Sequence, residues 1–221
     1  MLRALFAAPM VLLLFMPQTP SQGNRQNPDA PKKPFTMAQV WTLDATYTDQ
    51  QHGVTFRYPS VWEATTQFAY HPPALTESVE AKSIVGFGYS EGGFPRDEIV
   101  GPYSGTNLEG FGLVFSVVPA VSASECEIKA TSLSDSDEHT RIVLGNRSFS
   151  VHETGEAGMS QSISGILYVT YAGHFCYLFE TDVAVASPRV LDDIQPLTTA
   201  QSRFIDKRLL DIMKSVRIVP N

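Results

Sequence analysis

The chain lacks the sequence patterns that mark most active sites and metal centres. Its five histidines form no H-x-H or HExxH pattern, and Glu156 stands where a zinc-binding helix beginning at His152 would have its second histidine. The serines around residue 160 do not lie in a G-x-S-x-G pattern, so no nucleophile elbow is indicated. These absences favour a non-catalytic protein over an enzyme, and we expect no cofactor and no metal site.

Basic residues are also scarce. Sixteen lysines and arginines stand against 23 aspartates and glutamates, which gives a formal net charge of −7. An acidic domain repels phosphate backbones, so this balance excludes nucleic acid as an expected partner.

No apolar run is long enough to span a bilayer, which requires roughly 20 residues. The longest candidate, Ala4–Met16, follows the single positive charge of Arg3 and precedes the small residues Ser21 and Gly23. This order of charge, apolar stretch and small residues is typical of a signal peptide. We predict that residues 1–23 are cleaved and that the protein is exported, to a bacterial periplasm or the extracellular space, without a transmembrane anchor.

The segment after the predicted cleavage site has little that could pack into a core. Residues 24–34 contain three prolines and no large apolar side chain. Such a composition cannot bury enough surface to become ordered. We predict a flexible leader over residues 24–39 and a single folded domain over residues 40–221.

Only two cysteines are present, Cys126 and Cys176. An even number in an exported chain favours a disulfide. Two alternatives stay open at this point. The cysteines can be two buried free thiols, or Cys176 can be a reactive thiol beside His174.

β-branched and aromatic residues predict a β-rich domain. The segments predicted as strands are Ala45–Asp49, Val54–Tyr58, Ile84–Tyr89, Leu113–Val118, Arg147–Glu153, Ser162–Tyr171 and His174–Asp182. Ala172 and Gly173 separate the last two segments and are expected to form a tight hairpin turn.

The clearest helix is predicted over Thr199–Ser215. Apolar residues recur there at helical spacing, Asp and Lys fill the opposite face, and Thr198 or Thr199 can cap the N-terminus. Hairpin strands followed by a C-terminal amphipathic helix indicate an α+β domain, with an antiparallel sheet flanked by helices.

One stretch is unusually rich in glycine. Residues 86–112 hold eight of the chain's 15 glycines, interleaved with aromatic residues. Aromatic side chains on a loop supply contact area at low entropic cost. The stretch predicts a binding surface with the candidate residues Tyr89, Phe94, Arg96 and Tyr103. The alternative is an irregular connection whose aromatic side chains pack onto the sheet.

Two segments resemble the PsbP-like family. Residues 52–62 (HGVTFRYPSVW) are similar to its N-terminal signature of a glycine, a strand, Tyr-Pro and a tryptophan, and residues 209–216 (LLDIMKSV) are similar to its last helix. The resemblance implies an antiparallel sheet between helices. It also implies a non-catalytic accessory or binding role, because known members include photosystem lumenal subunits and bacterial envelope proteins.

We therefore expect an exported, non-catalytic accessory or binding protein of the cell envelope, with a protein or a small molecule as its partner. The alternative is an exported hydrolase whose site is assembled from dispersed residues, namely His71, His152, Glu153 or His174.

Overall fold

Antiparallel strands make up most of the described chain. The computed structural model describes residues 34–65, 82–90, 101–134, 139–158, 160–187 and 194–219. All of them belong to one compact unit, residues 33–221. Its elements, in chain order, are α1 (Met37–Trp41), β1 (Ala45–Asp49), β2 (Val54–Tyr58), β3 (Glu63–Thr65), β4 (Lys82–Ser90), β5 (Leu108–Pro119), α2 (Ala123–Thr131), β6 (Thr140–Leu144), β7 (Arg147–Ala157), β8 (Gln161–Ala172), β9 (Phe175–Ala186), α3 (Thr199–Ser215) and β10 (Arg217–Ile218).

The strands form two sheets. The larger has seven strands in the order β3-β4-β5-β9-β8-β7-β6, and the smaller has three in the order β1-β2-β10. Every named strand pair is antiparallel. The predicted fold class, an α+β domain with antiparallel sheet and a C-terminal helix, is confirmed.

The hairpin between β8 and β9 sets the register at the centre of the large sheet. Gly173 and His174 both have positive φ angles, 55° and 69°. Positive φ at both central residues is the requirement of the type I′ turn, which matches the twist of the flanking strands. The turn therefore lies one residue later than predicted. Ala172 pairs with Phe175, and His174 belongs to the turn rather than to the strand.

Side chains alternate between the two faces of the large sheet. The inner face packs against the small sheet and α3, and it holds a continuous aromatic core. Phe115 stacks on Phe179 with ring centroids 4.8 Å apart, and Phe56 of the small sheet meets Phe179 edge-on at 6.3 Å. The largest part of the buried apolar surface therefore lies between the two sheets and α3.

Helix α3 begins and ends where the sequence predicts. Thr198 accepts a hydrogen bond from the backbone N–H of Gln201, and the Gln201 side chain accepts one from the backbone N–H of Thr198, which completes a capping box. Leu209 and Ile212 on the predicted apolar stripe are buried. None of the helices in the described ranges is long and apolar enough to cross a membrane.

The outer face of the large sheet is covered in part by the short helix α2. Cys126 of α2 and Cys176 of β9 form a disulfide, and both residues are buried. Small apolar side chains surround the bond, including Ala130 of the helix and Val118 of β5. The predicted disulfide is confirmed, and both free-thiol alternatives are wrong.

Replacing Cys126 and Cys176 with alanine is expected to lower the free energy of unfolding by about 4 kcal/mol. The bond closes a 50-residue loop, and breaking it restores conformational entropy to the unfolded chain. Urea unfolding of the oxidised protein and of the double variant measures the difference. Adding a reductant to the wild type should shift its midpoint by a similar amount. An unchanged midpoint in both experiments would contradict the proposed contribution of the bond.

Candidate functional site

Two of the four predicted binding residues lie in the hydrophobic core. Tyr89 at the end of β4 is 5% exposed and stacks on Phe111, with ring centroids 5.3 Å apart. Tyr103 is 1% exposed, and its hydroxyl accepts a hydrogen bond of 2.9 Å from the indole N–H of Trp41. This packing agrees with the alternative interpretation of the Gly-rich stretch, in which its aromatic side chains pack onto the sheet. Trp41 and Phe111 offer Tyr89 and Tyr103 an apolar surface.

The other two predicted binding residues, Phe94 and Arg96, lie outside the described residues. The contact of any of the four with a ligand remains a prediction.

The residues proposed for the alternative hydrolase do not form one site among those described. His152 is buried on the outer face of β7, whereas its neighbour Glu153 is exposed on the other face of that strand. His174 is exposed in the β8–β9 turn, and His71 lies outside the described residues. Of the three described residues of this set, His152 alone takes part in the cluster of potential metal ligands with Glu127 and His139.

The outer face changes character along its length. Beneath α2 it is apolar, with Val114, Leu167 and Leu178 packed around the disulfide. Further along the same strands it becomes polar, and two carboxylates follow Leu178 on alternate residues of β9, Glu180 and Asp182. Both are buried.

Glycines on the neighbouring strands leave room for these two carboxylates. Asp182 pairs with Gly112 on β5 and with Gly165 on β8. A Cβ atom at residue 112 would lie 2.9 Å from the carbonyl oxygen of Phe87 and 3.2 Å from Oδ1 of Asp182. A Cβ atom at residue 165 would collide with the Thr154 hydroxyl. Side chains at residues 112 and 165 would therefore crowd the neighbouring backbone, the Thr154 hydroxyl and both carboxylates.

The two carboxylates are stabilised in different ways. The Thr154 hydroxyl donates a hydrogen bond of 2.7 Å to Glu180 Oε1. Burial raises the pKa of Asp182 to about 6, and hydrogen bonds from the backbone N–H groups of Gly112 and of Asp182 itself oppose that rise. Asp182 therefore carries a proton in mildly acidic solution and can then donate a hydrogen bond.

A second polar group, the His–Glu cluster, lies beside α2 and consists of Glu127, His139 and His152. Glu127 is on α2, His139 directly precedes β6, and His152 is on β7. Glu127 Oε1 is 3.3 Å from His139 Nε2 and 3.2 Å from His152 Nε2. The two imidazole rings stack with centroids 5.1 Å apart. The three potential ligand atoms all lie within 4.8 Å of one another.

His152 is the least solvated member of the cluster. Its side chain is 0% exposed, against 33% for His139 and 27% for Glu127. Burial lowers the pKa of His152, the Glu127 carboxylate opposes this, and the neighbouring His139 lowers it further. These effects favour the neutral imidazole, which is the form of histidine that binds metal ions.

Sequence reasoning did not find the His–Glu cluster. The three residues are 12 and 13 positions apart, and no local motif joins them. Helix α2 was not predicted either, because its only buried residues, Cys126 and Ala130, are too few to form an apolar stripe. The expectation of no metal site rested on motifs alone, which do not report residues brought together by the fold.

Replacing Asp182 with asparagine is expected to change how stability depends on pH. The folded-state pKa of about 6 lies above the unfolded value of 3.8, so the folded state holds this proton more tightly. The resulting stabilisation is complete below pH 3.8 and is lost as the pH rises through about 6, a fall of about 3 kcal/mol. Urea unfolding across this range should show the fall in the wild type and not in Asp182→Asn.

The exposed Glu153 supplies the control for that experiment. The variant Glu153→Gln should keep the wild-type dependence on pH in this range. Parallel stability curves for the wild type and Asp182→Asn would contradict the raised pKa.

No protein-family model matches the chain, and no curated protein sequence matches it either. Solved structures with a similar chain path exist. The Ran-binding protein Mog1p of Saccharomyces cerevisiae is 8% identical, with a TM-score of 0.44, over 80% of this chain and 95% of Mog1p. LpqN of Mycobacterium tuberculosis, which is involved in cell envelope biogenesis, is 12% identical, with a TM-score of 0.40, over 85% of this chain and 99% of LpqN.

A protein from Bacteroides thetaiotaomicron is also similar. It is 10% identical, with a TM-score of 0.41, over 81% of this chain. The match covers 50% of the Bacteroides protein, so this chain spans about half its length.

Proposed function

We propose that this protein is an exported, non-catalytic accessory or binding protein of the cell envelope. The observation that carries the proposal is the buried disulfide between Cys126 and Cys176. Disulfides persist in oxidising compartments and are rare in the cytosol. The signal-peptide pattern of residues 1–23 supports the same compartment.

The disulfide supports export because the fold uses it structurally. The bond joins α2 to β9, and helix α2 buries only two of its own residues. A nine-residue helix with so little buried surface is weakly held by packing alone. A fold that relies on this bond suits a compartment in which the bond forms.

We also propose that the chain is related to the PsbP-like family. The segment that carries the resemblance folds as the family pattern implies. Strand β2 ends at Tyr58, Pro59 follows, and Trp62 is buried with its indole N–H donating a hydrogen bond of 2.9 Å to the carbonyl oxygen of Val40. This structural role supports the relationship without identifying a partner.

For the partner-binding residues we propose Phe94 and Arg96. Tyr89 and Tyr103 flank these residues in the sequence and are anchored in the core. We assign Tyr89 and Tyr103 to positioning of the chain on either side, and Phe94 and Arg96 to contact with a protein or small-molecule partner. Aromatic and arginine side chains contribute most strongly to such contacts.

Export predicts a defined N-terminus and a defined thiol state. In fractions of the host cell, the protein should begin at Asn24, lie in the envelope or medium, and have Cys126 and Cys176 resistant to alkylation until it is reduced. Mass spectrometry of the intact protein after alkylation reads both properties. A cytosolic protein with two alkylated cysteines would contradict the proposal.

Partner binding is expected to depend on Phe94 and Arg96. The double variant Phe94→Ala/Arg96→Ala should reduce cross-linked capture of a reproducible envelope partner at least about tenfold, because contact residues of these types often contribute more than 1 kcal/mol each. Its melting temperature should stay near that of the wild type.

The control variant is Thr198→Ala, which removes the N-cap of helix α3. It should lower stability by about 1 kcal/mol and leave capture unchanged. If the double variant captures the partner as well as the wild type does, Phe94 and Arg96 are not the contact residues.

A further inference from the structure

We infer that Glu127, His139 and His152 bind one divalent transition-metal ion, with zinc as its representative. The site goes beyond the proposed function and does not depend on it. Its residues come from three elements that meet at the outer face: helix α2, the residue before β6, and strand β7. Helix, strand and disulfide hold the first and last of them in place.

The distances within the cluster fit a shared metal ion. Zinc binds histidine nitrogen and carboxylate oxygen at about 2.1 Å in tetrahedral geometry, which places neighbouring ligand atoms about 3.4 Å apart. The carboxylate Oε1 of Glu127 lies 3.3 Å from Nε2 of His139 and 3.2 Å from Nε2 of His152. The same nitrogen, Nε2, points to the carboxylate in both rings.

The Glu127 carboxylate lies within ion-pairing distance of both rings, but well-formed hydrogen bonds do not account for the arrangement. Within the described residues, neither ring nitrogen of His152 reaches hydrogen-bond geometry, and neither does Glu127 Oε1, although all three atoms are buried. Burying polar atoms without well-formed hydrogen bonds costs about 1–3 kcal/mol for each group. A metal ion bound between the rings and the carboxylate would coordinate two of these three atoms, His152 Nε2 and Glu127 Oε1.

The donor set selects the class of metal. Two imidazoles and one carboxylate suit zinc and neighbouring transition metals, whereas magnesium and calcium prefer oxygen ligands throughout. Three protein ligands leave one tetrahedral position for water. His139 and Glu127 are 33% and 27% exposed, so the ion can enter from solvent on their side of the cluster.

The disulfide holds one ligand in place. Glu127 directly follows Cys126, whose bond to Cys176 ties α2 to β9. The carboxylate is thus held over the strand that carries His152 before any ion arrives. Fixing a ligand in its bound position lowers the entropic cost of binding. Zinc affinity should therefore fall in the variant Cys126→Ala/Cys176→Ala, which lacks the bond and adds no zinc-binding thiol.

Calorimetric titration of the full chain with zinc chloride tests the site. The protein is first stripped with a chelator under oxidising conditions. One zinc ion should bind per chain, and magnesium chloride should produce no binding heat. Glu127→Gln and His139→Gln should each weaken zinc binding at least about tenfold, since even the loss of an outer-shell partner costs that much.

Two matched variants separate this site from general surface binding. Glu153→Gln removes an exposed carboxylate from the opposite face of β7, and His174→Asn removes an exposed histidine in a conformation that asparagine tolerates. Both should bind zinc as the wild type does. His152→Ala removes a buried side chain, so it is used only if circular dichroism shows that it folds.

Cobalt provides a second readout that structural damage alone would not produce. Cobalt bound by this cluster should give the intense visible absorption of a tetrahedral site, and Glu127→Gln and His139→Gln should lose it while remaining folded. The inference is overturned if the folded wild type binds no zinc. It is also overturned if these two variants bind zinc with wild-type affinity.

Discussion

The burial of strands β5, β9 and β8 on both faces is the constraint on which the rest of this structure depends. These three long strands lie at the centre of the seven-stranded sheet. Their inner side chains, such as Phe115 and Phe179, pack under the small sheet and α3. Their outer side chains, such as Leu167 and Leu178, need a second cover, which α2 supplies. Alternate residues of each strand therefore have to suit two different environments. One is the core under the small sheet and α3, and the other is the surface covered by α2.

The two faces meet this constraint by different physical means. The inner face buries large aromatic rings, which contribute most of the hydrophobic stabilisation. The outer face has a short helix fixed by a disulfide, and beyond it polar groups that are buried beside glycines. Buried polar groups add little stability and require partners. The outer face is accordingly where both unusual groups lie, the Glu180–Asp182 pair and the His–Glu cluster.

Local patterns predicted the elements whose own residues carry the signal. Helix α3 has an apolar stripe and a capping threonine, so its bounds were read from periodicity and N-cap chemistry. Strands β8 and β9 are rich in β-branched and aromatic residues, and both are predicted. Their turn lies one residue later than predicted, because His174 adopts a positive φ that glycine usually supplies. Strand β9 also continues to Ala186, four residues beyond its predicted end at Asp182. The sequence does not predict helix α2, because its buried side chains are a cysteine and an alanine and form no apolar stripe.

The sequence by itself determined the α+β class and the C-terminal helix, since each follows from residue pattern. It favoured a disulfide between Cys126 and Cys176, but the structure decided between that bond and free thiols. Only the tertiary structure decided what the individual side chains do. Tyr89 and Tyr103 look like loop aromatics in the sequence, yet Trp41 and Phe111 draw them into the core. Glu127, His139 and His152 share no motif and meet only because β7 passes beneath a helix tied to β9. Contacts between distant residues depend on how the sheet and helices pack, and that packing is a property of the whole chain rather than of any segment.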